Sequence, residues 1–295
     1  MTISQLISVS RRTDIPAFYS KWFMNRIEEG FCMYPNPIYP KTFYRVSLTP
    51  NSVNGFVFWT RHAEPMLDFL SKLDQYGYTY YFLYTIVNYP RNIEPHSPSA
   101  DKAIAVFSEL SKQIGKSRVI WRYDPILYHL PDISESWHKE NFVYLLNSLC
   151  HVTETVIVSL IDPYRKTLRR LGTPQDGLVY EVNEYTELLQ WMVNISHKKG
   201  VRVQSCCESI LSVSGSGINS GSCVNAGLME NLSGHRQSYA MHHQREGCLC
   251  HRSIDIGVNN TCCFGCQYCY ATENFEKALQ LYQAHQPHWT CIISP

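Results

Sequence analysis

An excess of charge of either sign is missing from this 295-residue chain: 26 Lys and Arg stand against 25 Asp and Glu, a formal net charge of +1. Without a surplus, no general attraction draws it to a nucleic-acid backbone or to an anionic membrane surface. No run approaches the ~18 apolar residues of a spanning helix, so a membrane partner is not expected. The opening MTISQLISVSRRTDIP has no apolar stretch of the export-signal kind and passes straight into a strand-like run. No repeat of short period and no low-complexity linker divides the chain. The expectation is one domain over residues 1–295.

The hydrophobic fraction of 44 % is ordinary, and the aromatic fraction of 13 %, with 20 Tyr, is rich. That composition belongs to a packed protein. Short runs rich in β-branched and aromatic residues recur at 6–10, 44–48, 56–60, 80–87, 119–123, 155–161, 201–205 and 250–256. Helical patterns lie between several of them, at 15–29, 100–114, 137–150 and 182–199. Alternation of this kind argues an α/β fold with a parallel sheet. Runs such as YYFLYTIV and TVIVSLI are continuously apolar, as strands buried on both faces are. Seven or eight such units predict a single (β/α) barrel, complete or partial. The stretch SVSGSGINSGS at 212–222 reads as a loop, either plain surface or one that closes over a site.

Nine of the twelve cysteines lie between Cys206 and Cys269. In a chain without an evident export signal they point to metal ligands in a reducing cytoplasm rather than to disulfides. Cys262, Cys266 and Cys269 stand in the pattern C-x3-C-x2-C. Three thiolates so spaced can wrap one face of a [4Fe–4S] cluster and leave its fourth iron open, whereas electron-transfer clusters are normally closed by four. Tyr268, just before the third cysteine, completes the C-x3-C-x-aromatic-C signature of radical S-adenosylmethionine (SAM) enzymes. There the open iron chelates the amino and carboxylate groups of SAM, and one electron cleaves the sulfonium to a 5′-deoxyadenosyl radical. The competing reading is structural zinc, with Cys266 and Cys269 as one pair and Cys248 and Cys250 as the other. Cys206, Cys207, Cys223, Cys248 and Cys250 are candidates for an auxiliary metal or cluster site; the alternatives are a hydrogen-atom donor or reactive thiol among them, or simply buried thiols. Cys263 is expected to point away, and Cys32, Cys150 and Cys291 to be non-functional.

Polar residues follow the strand runs, where barrel enzymes carry their chemistry. Ser10, Arg11, Arg12, Thr13 and Asp14 follow the first, and Arg61 the third. Arg122 and Asp124 belong to the fifth, Asp162 and Arg165 follow the sixth, and Glu208 the seventh. Arginine forks suit carboxylates and phosphates, so Arg11, Arg12, Arg61 and Arg122 are candidates for gripping an anionic substrate or the SAM carboxylate. Asp14, Asp124, Asp162 and Glu208 suit ribose hydroxyls or the SAM amino group. Alternatively, several of these residues pair with one another across the barrel mouth.

The segments SRRTDIP, FVFWTR, WRYDPI and CLCHRSIDIGVNNTCCFGCQYCYA together resemble the domain-of-unknown-function 1848 family over essentially the whole chain. The resemblance implies a single barrel-like domain with a [4Fe–4S] cluster on Cys262, Cys266 and Cys269, held in a C-terminal segment at 246–285. In the radical SAM superfamily the cluster loop follows the first strand, and here it comes last. A circular permutation reconciles the two orders. Residues 250–256 become the first strand, 257–269 the cluster loop and 272–284 the next helix, with 6–10 as the second strand. Ser10, Arg11, Arg12 and Asp14, with Tyr268, then become the SAM-binding candidates, and Arg12, Asp14, Arg122, Asp124 and Glu208 the catalytic ones. The leading expectation is a radical SAM-type enzyme acting on a small-molecule substrate, with an external electron donor such as a ferredoxin or flavodoxin. The alternatives are an iron–sulfur protein that does not cleave SAM and a zinc-stabilised binding module.

Overall fold

Ten strands and ten helices were traced in the computed structural model, which describes residues 5–39, 41–128, 130–162, 164–173, 182–206, 218–236, 239–242 and 247–294. Cys207, Glu208 and positions 212–217 of the glycine–serine stretch lie outside the described residues. The strands are β1 (Gln5–Val9), β2 (Phe31–Pro35), β3 (Phe43–Ser47), β4 (Val53–Thr60), β5 (Tyr80–Thr85), β6 (Val119–Ile126), β7 (Thr155–Leu160), β8 (Arg202–Cys206), β9 (Asn219–Gly221) and β10 (Ile254–Asp255). The helices are α1 (Ile15–Phe18), α2 (Ser20–Glu29), α3 (Glu64–Leu67), α4 (Leu70–Gln75), α5 (Ala100–Ile114), α6 (Glu135–Leu149), α7 (Arg165–Leu171), α8 (Val182–Lys198), α9 (Ala226–Ser233) and α10 (Phe275–Ala284).

Eight strands form one all-parallel sheet in the order β10-β1-β4-β5-β6-β7-β8-β9. From β1 onward the strands lie side by side in chain order, and the last one returns beside the first, pairing Ile7 with Ile254 and Ser8 with Asp255. The sheet is therefore all-parallel, as the runs predicted, but among the described residues its hydrogen-bonded ladder does not close into a barrel. The segments flanking its outer strands do meet. His251 N–H, ahead of β10, donates to Val224 O, just past β9, at 3.0 Å.

Side chains alternate across the strands with a period of two. Ile7, Phe56, Phe58, Phe82, Trp121, Tyr123 and Val156 face one way and share a core with Trp22, Phe23, Phe107, Phe142, Leu145 and Leu188 of the helices. Leu6, Val57, Tyr81, Leu83, Ile120 and Ile157 face the other way, against Cys223, Val224, Cys248, Cys250 and Met229 of α9. Most helices thus cover one face, and α9 with the cysteine-bearing segments occupies the other.

Three local expectations differ. The run at 44–48 is not part of the main sheet: β3 pairs antiparallel with β2 in a separate hairpin. The helical pattern at 15–29 splits at Tyr19, whose φ of −133° interrupts it between α1 and α2. The run at 250–256 contributes only two residues to the ladder. Helix α5 begins and ends where its period put it, with the Ser99 side chain accepting from Lys102 N–H as a cap.

Candidate functional site

A cavity of about 360 Å³ opens at the C-terminal ends of the parallel strands. Its wall includes Ser10, Arg11, Arg12 and Asp14 after β1, Arg61 after β4, Arg122 and Asp124 of β6, and Asp162 after β7. The same wall carries Cys262, Cys266, Tyr268 and Cys269, and also Cys206, Cys223, Cys248 and Cys250. The described candidates from both cysteine groups and from the strand ends therefore share one space, except Arg165, the first residue of α7. Parallel strands place their C-terminal ends together, and this explains why residues so far apart in sequence converge.

The turn after β1 is held by Asp255. Its carboxylate accepts from Ser8 Oγ at 2.8 Å, Ser10 Oγ at 2.6 Å, Arg11 N–H at 2.8 Å and Gly257 N–H at 3.0 Å. Arg12 Nε adds a contact at 3.3 Å, and Arg11 Nη1 lies at 3.9 Å. Burial would raise the Asp255 pKa, but Arg12 and Arg11, with the hydrogen bonds from Ser10 and Arg11, hold it below the usual carboxylate value. Gly257 is required here because a Cβ would lie 1.9 Å from Ser10 Oγ.

Asp14 caps α1, accepting from Ala17 N–H at 3.0 Å, and also accepts from Thr60 Oγ1 at 2.8 Å and Arg61 N–H at 2.7 Å. Burial pushes its pKa up to about 7 despite those three donors. The Arg61 guanidinium pairs with Glu94 at 2.7 Å and also donates to Tyr268 Oη, which donates in turn to the same carboxylate. Arg122 pairs with Asp124, which accepts as well from Ser159. Arg11 and Arg122 both lie over the Trp59 ring, at 5.2 and 4.8 Å from its centroid. Among the described residues, neither Trp59 Nε1 nor Arg122 Nε has a hydrogen-bond partner. Two buried donors of wall residues are thus unpaired, whereas Arg12 and Asp14 are largely committed to holding the turn.

The loop carrying the three-cysteine motif is tied down along its length. Thr13 Oγ1 donates to Val258 O at 2.8 Å, Tyr19 Oη to Thr261 O at 2.9 Å and Tyr270 Oη to Arg11 O at 3.0 Å. Gln267 N–H donates to Ile93 O and His96 N–H to Phe264 O, clamping the loop to the segment that carries Glu94. Arg170 Nη2 donates to Cys269 O at 2.6 Å. Gly265 has φ +73°, and a Cβ there would meet Pro95 Cγ at 2.9 Å. Burial, with Asp14 and the other two thiols, raises the Cys262 pKa well above that of a free thiol; burial pushes Cys266 up to about 12, with Arg61 pulling the other way. Cys263 turns from the cavity, its Sγ 3.8 Å from Ala278 O.

Among the described residues, no three His, Cys, Asp or Glu side chains are set around the position of a single metal ion. A cluster asks something different: soft donors spaced about a polynuclear body, with no fourth required when an iron is to stay open. Three thiols on one cavity wall, Cys266 buried and Cys262 and Cys269 half-buried, beside the Arg61 cation, fit that donor set.

Glu94, Trp59, Asp255 and Arg170 were not among the expected site residues. Asp255 had a signal, since it sits in the quoted IDIG segment two residues before Gly257. Glu94 had none: nothing in NIEPHSP foretells that this loop would fold onto the cysteine motif.

No curated protein matches the chain. Among solved structures, a short-chain type dehydrogenase/reductase from Mycobacterium marinum is 10 % identical, with 69 % of this chain and 73 % of that one covered, at a TM-score of 0.27. A putative phosphomethylpyrimidine kinase from Bacteroides thetaiotaomicron is 13 % identical over 69 % of this chain and 62 % of that one, at 0.26. Scores so low carry nothing about fold or chemistry. The family match is extensive: the profile of the domain of unknown function DUF1848 covers residues 6–271, both cysteine groups and every strand of the main sheet except the first residue of β1, and the chain belongs to that family.

Proposed function

We propose that this chain is a radical SAM-type iron–sulfur enzyme, with a [4Fe–4S] cluster on Cys262, Cys266 and Cys269. The observation that carries the reading is the convergence of these three thiols with the 10–14 turn on one strand-end cavity. The fold is read as an opened, circularly permuted (β/α) barrel. Chain-order strand neighbours, helices gathered on one face and the return of β10 to β1 support it. The cluster would supply the electron that cleaves the SAM sulfonium.

The chain's own groups have separable tasks. The Arg11 and Arg122 guanidinium groups, both on the cavity wall, are suited to grip a carboxylate of SAM or of substrate. Ser10, Arg11, Arg12 and Asp14 shape the turn that faces the cysteine loop, and Tyr268 with Arg61 and Glu94 fixes that loop's orientation. A ferredoxin or flavodoxin class donor would deliver the electron, and a small molecule would be the substrate.

Protein purified anaerobically should carry about four irons and four sulfides on this motif. SAM should change the EPR signal of the reduced cluster, and dithionite should then yield 5′-deoxyadenosine. An intact cluster indifferent to SAM would replace this reading with a non-SAM iron–sulfur protein, and stoichiometric zinc on the motif would replace it with a zinc-stabilised module.

A further inference from the structure

Cys206 is the last residue of β8, opposite Gly221 of β9. Cys223 follows β9 by two residues, and Cys248 and Cys250 precede β10. The four come from three stretches of chain that belong to opposite ends of the sheet order. Yet their sulfurs meet. Cys206 Sγ and Cys223 Sγ are 3.3 Å apart, far beyond the ~2.05 Å of a disulfide. Cys223 also contacts Cys250, which contacts Cys248. Val224 N–H points at Cys250 Sγ from 3.4 Å, a donor suited to a thiolate. Backbone bonds from His251 N–H to Val224 O and from His242 N–H to Cys250 O hold the two segments together.

We infer that Cys206, Cys223, Cys248 and Cys250 form a second thiolate-held metal centre, which staples the β9 end of the sheet to the β10 end. Four soft donors are the full set of a closed zinc or iron–sulfur site. Arg11 and Arg122 lie close enough to these sulfurs to offset the charge of thiolates. A tetrahedral ion with bonds of about 2.3 Å would hold its sulfurs about 3.8 Å apart, a small opening of the 3.3 Å between Cys206 and Cys223 Sγ. The sulfurs now run in a chain rather than around a point, consistent with no single-ion position among the described residues. The metal itself draws the chain's ends inward, releasing up to four thiol protons as it binds. The centre does not depend on SAM chemistry and borrows no ligand from the 262–269 motif.

The test uses the full chain expressed with iron and zinc both supplied and purified anaerobically, with iron, zinc and sulfide counted per chain. A Cys262→Ser/Cys266→Ser/Cys269→Ser variant should keep the second centre: about four irons and four sulfides if a cluster, about one zinc if a single ion. Adding Cys223→Ser and Cys250→Ser to it should remove that metal. In the wild type, alkylation with mass mapping should find these four cysteines protected until a chelator is added, a readout independent of any variant's folding. Free alkylation of all four in the native protein, or their recovery as a Cys206–Cys223 disulfide, would overturn the inference. So would metal in the triple variant that survives loss of Cys223 and Cys250. A wild type with the second centre but nothing on 262–269 would instead defeat the proposed function alone.

Discussion

Replacing Asp255 with Ala should loosen the return of the chain end to its beginning. Only two residues of β10 are in register with β1, so the ladder there is short and the carboxylate carries much of the join. It receives five hydrogen bonds, from Ser8, Ser10, Arg11, Arg12 and Gly257. Summing five charge-assisted bonds would overshoot, because their donors can turn partly to the cavity. The better guide is the cost of leaving a buried charge unpaired, about 3–5 kcal/mol. The Arg11 and Arg12 side chains are 12 % and 13 % exposed, which puts the expected loss near the lower end, about 3 kcal/mol. Urea unfolding of reduced, metal-free protein measures it, and native-state hydrogen exchange should show lost protection at Ile256 and Val258. Asp255→Asn keeps the shape without the charge and should fall between. The pH dependence has a definite sign. The folded carboxyl titrates below its usual 3.8, so its contribution is present above that value and fades as pH falls through the lower folded value. Asp255→Asn should remove that acid limb. A loss under about 1 kcal/mol in Asp255→Ala, with exchange unchanged, would refute the assignment of the join to this carboxylate.

Arg61→Ala should cost about 3 kcal/mol, since Glu94 is 4 % exposed and would be left with Tyr268 as its remaining named partner; adding Glu94→Gln should recover at least about 1 kcal/mol in a double-mutant cycle, and strict additivity would contradict the pairing. His138 is buried, with ring nitrogens at Tyr123 Oη and Leu127 O, and burial lowers its pKa to about 4. Its contribution is therefore complete above 6.5 and lost as pH falls toward 4, up to about 3 kcal/mol; that fall should be missing from His138→Gln when both are compared by urea midpoints at pH 7 and 4.5. Gly265→Ala should destabilise by about 1–3 kcal/mol through its left-handed φ and the Pro95 contact, and should lower iron retention on 262–269; an unchanged midpoint and iron count would count against the packing described.

The parallel sheet was legible because buried parallel strands write themselves as unbroken apolar runs. YYFLYTIV and TVIVSLI do so, and β5 and β7 fall on them. The run at 44–48, YRVSL, alternates apolar with polar residues instead, the pattern of a strand with one exposed face, and it pairs in a hairpin. The break at Tyr19 escaped because the sequence pattern runs across it, and the φ of −133° at Tyr19 divides α1 from α2. Among site residues, spacing made the 262–269 motif visible, and position after a strand run made Arg122 and Asp124 visible. Glu94 is different in kind. It reaches the site because loop 90–97 hydrogen-bonds to the cysteine loop through Gln267 and His96, a contact between segments about 170 residues apart with no periodic signature.

The two cysteine groups make sense of one another through topology. A parallel sheet whose first strand receives its last neighbour from the far end of the chain has two outer strands that are both short, three residues in β9 and two in β10. Short edges gain little from their own ladders. Each is followed or preceded by cysteines, and the flanking segments already share the His251–Val224 bond. Holding the 262–269 loop over the strand ends requires β10 to stay where Asp255 sets it. The thiols on the other side of β10 would then fix the position from which that loop departs. The prediction that separates this from two independent sites is a thermodynamic one. Loading metal on Cys206, Cys223, Cys248 and Cys250 should raise exchange protection at Ser220 and Ile254 together, and in Cys223→Ser/Cys250→Ser neither should respond to metal. Protection rising at one edge strand and not the other would mean the centre is local to that edge and does not staple the sheet.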